Sequence, residues 1–136
     1  MGRLTHLLDN SVHARLANPA IARQFLDLQG EGRVARCGIF HLEALFSARD
    51  PRRMDQQLIH ALPLVSTHQA DFDRAAEVML LLADRGQHRA VGAADLVLAA
   101  VAERAQLTVL HYDRDFEHIA AVTGQPVEAV APSRSL

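Results

Sequence analysis

Asp9, Glu43, Asp95, Asp113 and Asp115 sit in four short segments, LLDNS (7–11), HLEALFSAR (41–49), GAADLVLAA (92–100) and HYDRDFEHIA (111–120). Each segment sets a carboxylate against an apolar run, where a folded chain ordinarily keeps charge away. Carboxylates brought together from distant segments repel one another. Such a cluster persists when a cation neutralises it, and hard divalent cations prefer oxygen ligands. The chemistry this suggests is a metal-dependent attack on a phosphodiester.

Each acid also has an ordinary structural use. Asp9 can cap a helix, with Ser11 either satisfying backbone N–H groups or orienting a carboxylate or a metal-bound water. Glu43 lies beside an apolar face expected from Leu42, Leu45 and Phe46, which leaves it pointing either at the sheet rim or at water. Asp95 is in the first turn of GAADLVLAAVAE, where the helix dipole favours an acid. That stretch is apolar nearly all round, so the helix is expected to be buried, and a buried lone Asp is costly. Asp113 ranks above Asp115 as a direct ligand, because Asp115 also suits a helix cap. His88 and Arg89, just before the Asp95 helix, are candidates for touching a phosphate or a base, the alternative being a solvated loop pair.

The elements that must position these residues alternate short apolar runs with longer helical ones. That pattern predicts a layered α/β domain with a mostly parallel sheet of four to five strands. Strands are expected near Thr5–Leu8, Arg33–Gly38, Leu62–Val65, Thr108–His111 and Val127–Val130. Pro63 and Pro126 assign the third and fifth of these to sheet edges. Helices are expected over 12–17, 20–29, 40–48, 52–61, 67–85, 92–105 and 115–123. Ser66 with Gln69 reads as a capping box for the long helix, whose apolar positions are Phe72, Ala75, Ala76, Met79, Leu80 and Ala83. Asp9 and Asp113 each follow a strand directly. In a doubly wound sheet both should emerge on the rim where ligands bind.

The 136 residues suit one domain spanning 1–136, with 131–136 expected as a frayed tail. Hydrophobic content is 49% and mean hydropathy is near zero, as expected of a soluble globular chain. No apolar run nears the roughly 20 residues of a membrane span. The opening MGRLTHLLDNSVHARL breaks any signal core, and the single cysteine, Cys37, excludes an internal disulfide and suits a reducing cytoplasm. All 14 basic residues are Arg and none is Lys. The chain therefore lacks a Walker lysine, a Schiff-base lysine and the lysine that phosphoaspartate enzymes require. It also lacks HExxH and any Cys/His zinc spacing, and the loop Gly30-Glu31-Gly32 is short of a dinucleotide fingerprint. Net charge is −2. With the five acids set aside as a neutralised site, 14 Arg face 11 acids, enough for weak phosphate attraction and not for a strong basic field.

The four segments, in this order and spacing, resemble the PIN-domain ribonucleases, and most of all the VapC-type toxins of bacterial toxin–antitoxin (VapBC) pairs. The resemblance runs from LLDNSV to DFEHIA. Asn10 and His13 depart from it, standing where a small hydroxyl residue and a large apolar or aromatic one are more usual. The resemblance implies a PIN-like three-layer α/β/α fold and a Mg²⁺- or Mn²⁺-dependent endoribonuclease. It implies a homodimer held in check by a cognate, VapB-like antitoxin that buries a C-terminal segment in the acidic groove. Asp9, Glu43, Asp95 and Asp113 are then the expected catalytic residues. Asp9, Asp95, Asp113 and Asp115 are the expected metal set, and Ser11, His88 and Arg89 the expected substrate contacts. Two other readings stand beside it. One is a non-catalytic PIN-like binding module, which the retained acids disfavour. The other is a phosphoaspartate phosphatase using Asp9, which the absent lysine and the missing second Asp disfavour.

Overall fold

The computed structural model describes residues 3–130, so the tail expected at 131–136 lies outside the described residues. Four strands form one sheet: β1 His6–Leu8, β2 Val34–Ala35, β3 Thr108–His111 and β4 Val127–Ala129. All pair in parallel, in the order β2-β1-β3-β4. Successive residues of a strand face opposite sides of a sheet. Leu7 and Leu8 are both fully buried, as are Val109 and Leu110, so helices cover both faces of the central pair. This is the layered α/β arrangement that the alternating pattern predicts, in the three-layer form that the resemblance implies.

After β1 come α1 Asn10–His13 and α2 Pro19–Gly30; after β2 come α3 Gly38–Ser47, α4 Pro51–Ala61, α5 Gln69–Asp84 and α6 Ala93–Ala105; α7 Asp115–Thr123 joins β3 to β4. The chain leaves β1 toward β2 and returns past it to β3. The strand order therefore reverses between β1 and β3, and the crevice at their carboxyl ends is the natural ligand site. Helix α6 is buried continuously from Leu96 to Ala102 and packs chiefly against α5.

The structure corrects four expectations. Leu62–Val65 is no strand: one parallel bridge joins Leu64 to Arg36, with the Pro63 carbonyl accepting the Arg36 N–H. The Val65 N–H returns a bond to the Arg36 carbonyl, and with Pro63 bringing no donor of its own the pairing stays at this one bridge. The box that opens α5 is built from His68 and Asp71 in place of Ser66 and Gln69; the Asp71 carboxylate accepts the His68 N–H at 2.8 Å. The core stripe of α5 is Asp71, Ala75, Val78 and Leu82, while Phe72 and Leu80 are exposed. In α3 the core residues are Phe40 and Ala44, with Leu42 and Phe46 outside.

Candidate metal centre

Asp9 ends β1 while still on the ladder, its N–H donating to the Leu110 carbonyl at 3.0 Å. The residue is 3% exposed, and its side chain caps α1 by accepting the Ser11 N–H at 2.9 Å. The Ser11 hydroxyl in turn accepts the Tyr112 N–H at 2.8 Å, which ties the turn after β1 to the turn after β3. In that second turn the Asp113 N–H donates to His111 Nδ1 at 3.1 Å, and Asp113 Oδ1 accepts the Asp115 N–H at 3.0 Å. The Asp113 carboxylate, and not that of Asp115, thus closes the turn that leads through Arg114 into α7, and Asp115 is that helix's first residue, its carboxylate hydrogen-bonded with Asp95. With Nδ1 accepting, His111 carries its proton on Nε2, a buried atom without a partner. Burial holds its pKa below the usual imidazole value.

The acids meet. Carboxylate oxygens of Asp9, Glu43 and Asp95 lie within 4.8 Å of one another, and so do those of Asp95, Asp113 and Asp115. Asp95, in the first turn of α6, belongs to both groups. Burial is the leading cause of the shifts at Asp9, Glu43 and Asp95. Asp95 is pushed up to about 9 by burial, by hydrogen bonding to Asp115, and by the charges of Asp9 and Asp113. Glu43 is raised by burial and by the same two charges. Asp9 is raised by burial and by Asp113, against the lowering effect of the Ser11 hydrogen bonds. Among the described residues, no Arg or His forms an ion pair with any of the five. An all-oxygen cluster that raises its own pKa values and lacks a protein cation fits a hard divalent ion, and thiol or imidazole ligands play no part in it. Cys37 is buried at the N-cap of α3 with its thiol pushed up to about 11, so it stays protonated.

The expected substrate contacts divide. Ser11 is part of the centre. His88 and Arg89 are exposed in the loop before α6, and among the described residues neither bonds to the acids. Asn10 and His13 each find a packing role. His13 meets the Phe40 ring edge-on at 5.6 Å, and burial lowers its pKa. Asn10 donates to the Ser47 hydroxyl at 3.5 Å and leaves Oδ1 buried without a partner. Sequence reasoning passed over Arg15 and Tyr112, which border the centre: the guanidinium lies 4.9 Å from the tyrosine ring centroid and donates to the Ser11 carbonyl at 2.8 Å. The available signal was the position of Tyr112, directly before Asp113, an acid of the cluster.

Residues 4–122 match the family described as PIN domain. The chain belongs to the PIN-domain family, among the VapC ribonucleases. It is 45% identical over 131 residues to ribonuclease VapC21 of Mycobacterium tuberculosis, covering 93% of this chain and 95% of that one. It is 40% identical over 135 residues to ribonuclease VapC51 of the same species, covering 98% of each. The fold is similar to that in the crystal structure of DNA-bound VapBC from Salmonella typhimurium, with a TM-score of 0.76 at 20% identity, over 95% of this chain and 100% of that one. This PIN domain thus keeps the order of acids read from its sequence and gathers them at the β1/β3 crevice. No helix among the described residues is long and apolar enough to cross a membrane.

Proposed function

We propose that this PIN domain is a metal-dependent endoribonuclease that cleaves RNA phosphodiester bonds as the toxin of a toxin–antitoxin pair. One observation carries the reading: carboxylates from four segments converge at the β1/β3 crevice without a protein cation among the described residues, and Asp95 is pushed up to about 9. Asp9, Asp95, Asp113 and Asp115 would hold Mg²⁺ or Mn²⁺, and an ion there would replace the proton that Asp95 and Asp115 share. When bound, such an ion lowers the pKa of water and neutralises charge on the phosphate. Glu43, half-buried at the edge of the cluster, would accept the proton of the attacking water. Asp9 and Asp113 keep their ligand oxygens in position through their bonds to Ser11 and Asp115. Ser11, His88 and Arg89 complete the proposed substrate contacts, the last two as exposed groups ahead of α6 for the RNA backbone.

The same reading takes the protein to be cytoplasmic, a homodimer, and bound by a VapB-like antitoxin. The relatives' names and the VapBC complex support it. So does an exposed apolar cleft of about 250 Å³, lined by Phe72, Met79, Leu96 and Val97, which a second copy would cover.

RNA cleavage with and without chelator is the test. Cleavage should require Mg²⁺ or Mn²⁺, and Asp95→Asn should lower it by at least about a hundredfold while the variant stays folded. Cleavage that persists in excess EDTA would overturn the mechanism.

A further inference from the structure

Next to the acid crevice is a cleft of about 380 Å³, open to solvent and lined by Arg15, Ala17, Asn18, Ile21 and Tyr112. Its volume is in the range of small-ligand pockets, roughly 300–1,000 Å³. Its walls are of two kinds. Tyr112 offers an aromatic face, with Ala17 and Ile21 beside it. Arg15 offers a guanidinium that no carboxylate pairs among the described residues; its one protein hydrogen bond there goes to the Ser11 carbonyl. Asn18 spends its Oδ1 on the Ala20 and Ile21 N–H groups, which turns its amide NH₂ to other partners. The cleft is also wired to the acids: Ser11 accepts from Tyr112, donates its N–H to Asp9 and receives Arg15 on its carbonyl. Tyr112 is followed directly by Asp113.

We propose that this cleft is a nucleotide subsite, in which one base of the RNA stacks on Tyr112 and Arg15 holds the adjoining phosphate, fixing the scissile bond over the acids. The proposal deepens the ribonuclease reading and rests on it for the identity of the ligand. The guanidinium lies over the Tyr112 ring, 4.9 Å from its centroid, so a base would take its place on the ring as Arg15 turns to the adjoining phosphate, a pairing of stacking and charge used in single-stranded RNA recognition. An acidic peptide would use the cation and leave the aromatic wall idle.

Tyr112 is the only tyrosine of the chain, so 3-fluorotyrosine labelling gives one ¹⁹F resonance at the subsite. The protein is titrated with adenosine 5′-monophosphate, ribose 5-phosphate, inorganic phosphate and a Glu-rich peptide, with Mg²⁺ and again in EDTA. The nucleotide should move the resonance saturably in both conditions, far more than ribose 5-phosphate does, and Arg15→Gln should weaken its binding. In cleavage assays, removing the base next to the scissile bond should raise KM for the wild type by between about fivefold and a hundredfold. Tyr112→Leu should raise KM on intact RNA by a similar factor and be indifferent to the missing base. A resonance that the nucleotide does not move, or that only the peptide moves, overturns the subsite. So does a Tyr112→Leu variant as sensitive to the abasic substrate as the wild type. Because the nucleotide titration needs no cleavage, a shift without any ribonuclease activity would retain the subsite and sink the nuclease reading. Metal-dependent cleavage without a shift would do the reverse.

Discussion

The Asp9 carboxylate accepts the Ser11 N–H and faces Glu43 and Asp95 at the same time. Capping stabilises the fold through a hydrogen bond that needs an oxygen and no charge. Clustering destabilises the metal-free fold through the charge itself. An amide separates the two. Asp9→Asn keeps an acceptor for Ser11 and removes one negative charge from the cluster, so without metal it should unfold at a higher temperature than the wild type. Asp9→Ala relieves the same charge and loses the cap as well. It should be less stable than Asp9→Asn by about 0.5–2 kcal/mol. Calorimetry in EDTA decides: an Asn variant that melts below the wild type would mean the acids do not repel strongly. In saturating Mn²⁺ both variants should instead lose the stabilisation that the wild type gains.

At the level of elements, the place of Asp95 depends on how α6 lies against α5. Arg104, in the last turn of α6, donates to Asp71 at 2.8 and 3.0 Å and to the Ser66 carbonyl. Burial alone would raise the Asp71 pKa, but the Arg104 bonds, with the His68 N–H, hold it below the usual carboxylate range. Asp71→Asn should cost about 1.5–3 kcal/mol in urea denaturation, the range for a hydrogen bond to a charged group. Arg74→Ala, which removes a more exposed pairing to Glu77 and Glu103, should cost less than about 1 kcal/mol. Equal costs would mean that the Asp71 clamp does not set the α5/α6 register. The same contact shows where sequence reading stopped. The apolar pattern of α5 offers two stripes one residue apart, and an ion pair from 33 residues away selects the one containing Asp71. Strands β1 and β3, by contrast, were legible because each is a short apolar run closely followed by an acid. Asp9 and Asp113 were legible for the same reason, whereas Glu43 and Asp95 lie inside α3 and α6 and stood out only as acids within apolar stretches. The Arg15–Tyr112 cleft was not, because it forms only when the turns after β1 and β3 are hydrogen-bonded together.

For the whole molecule, the acid cluster links folding, pH and metal. Asp95 titrates near 3.9 in an unfolded chain and at about 9 in the fold. Between those values the folded state holds a proton that the unfolded state has released. Metal-free stability therefore falls as pH rises across that window. Below about pH 6.5 His13 and His111 work in the opposite sense, since their lowered pKa values make the fold lose stability as pH falls. Above about pH 8.5 the buried Cys37 thiol adds a fall of its own. The clean interval is therefore pH 7 to about 8.5. Over it, the wild type in EDTA should melt at progressively lower temperature, while Asp95→Asn should show a much flatter profile. A divalent ion must displace the Asp95 proton to bind. Added Mn²⁺ should accordingly raise the wild-type melting temperature more at pH 8.5 than at pH 7. Titration calorimetry in buffers of different ionisation enthalpy should register proton release of up to one per site at pH 7. A wild-type profile as flat as that of Asp95→Asn, together with metal binding that releases no proton, would show that these carboxylates do not act as one coupled cluster.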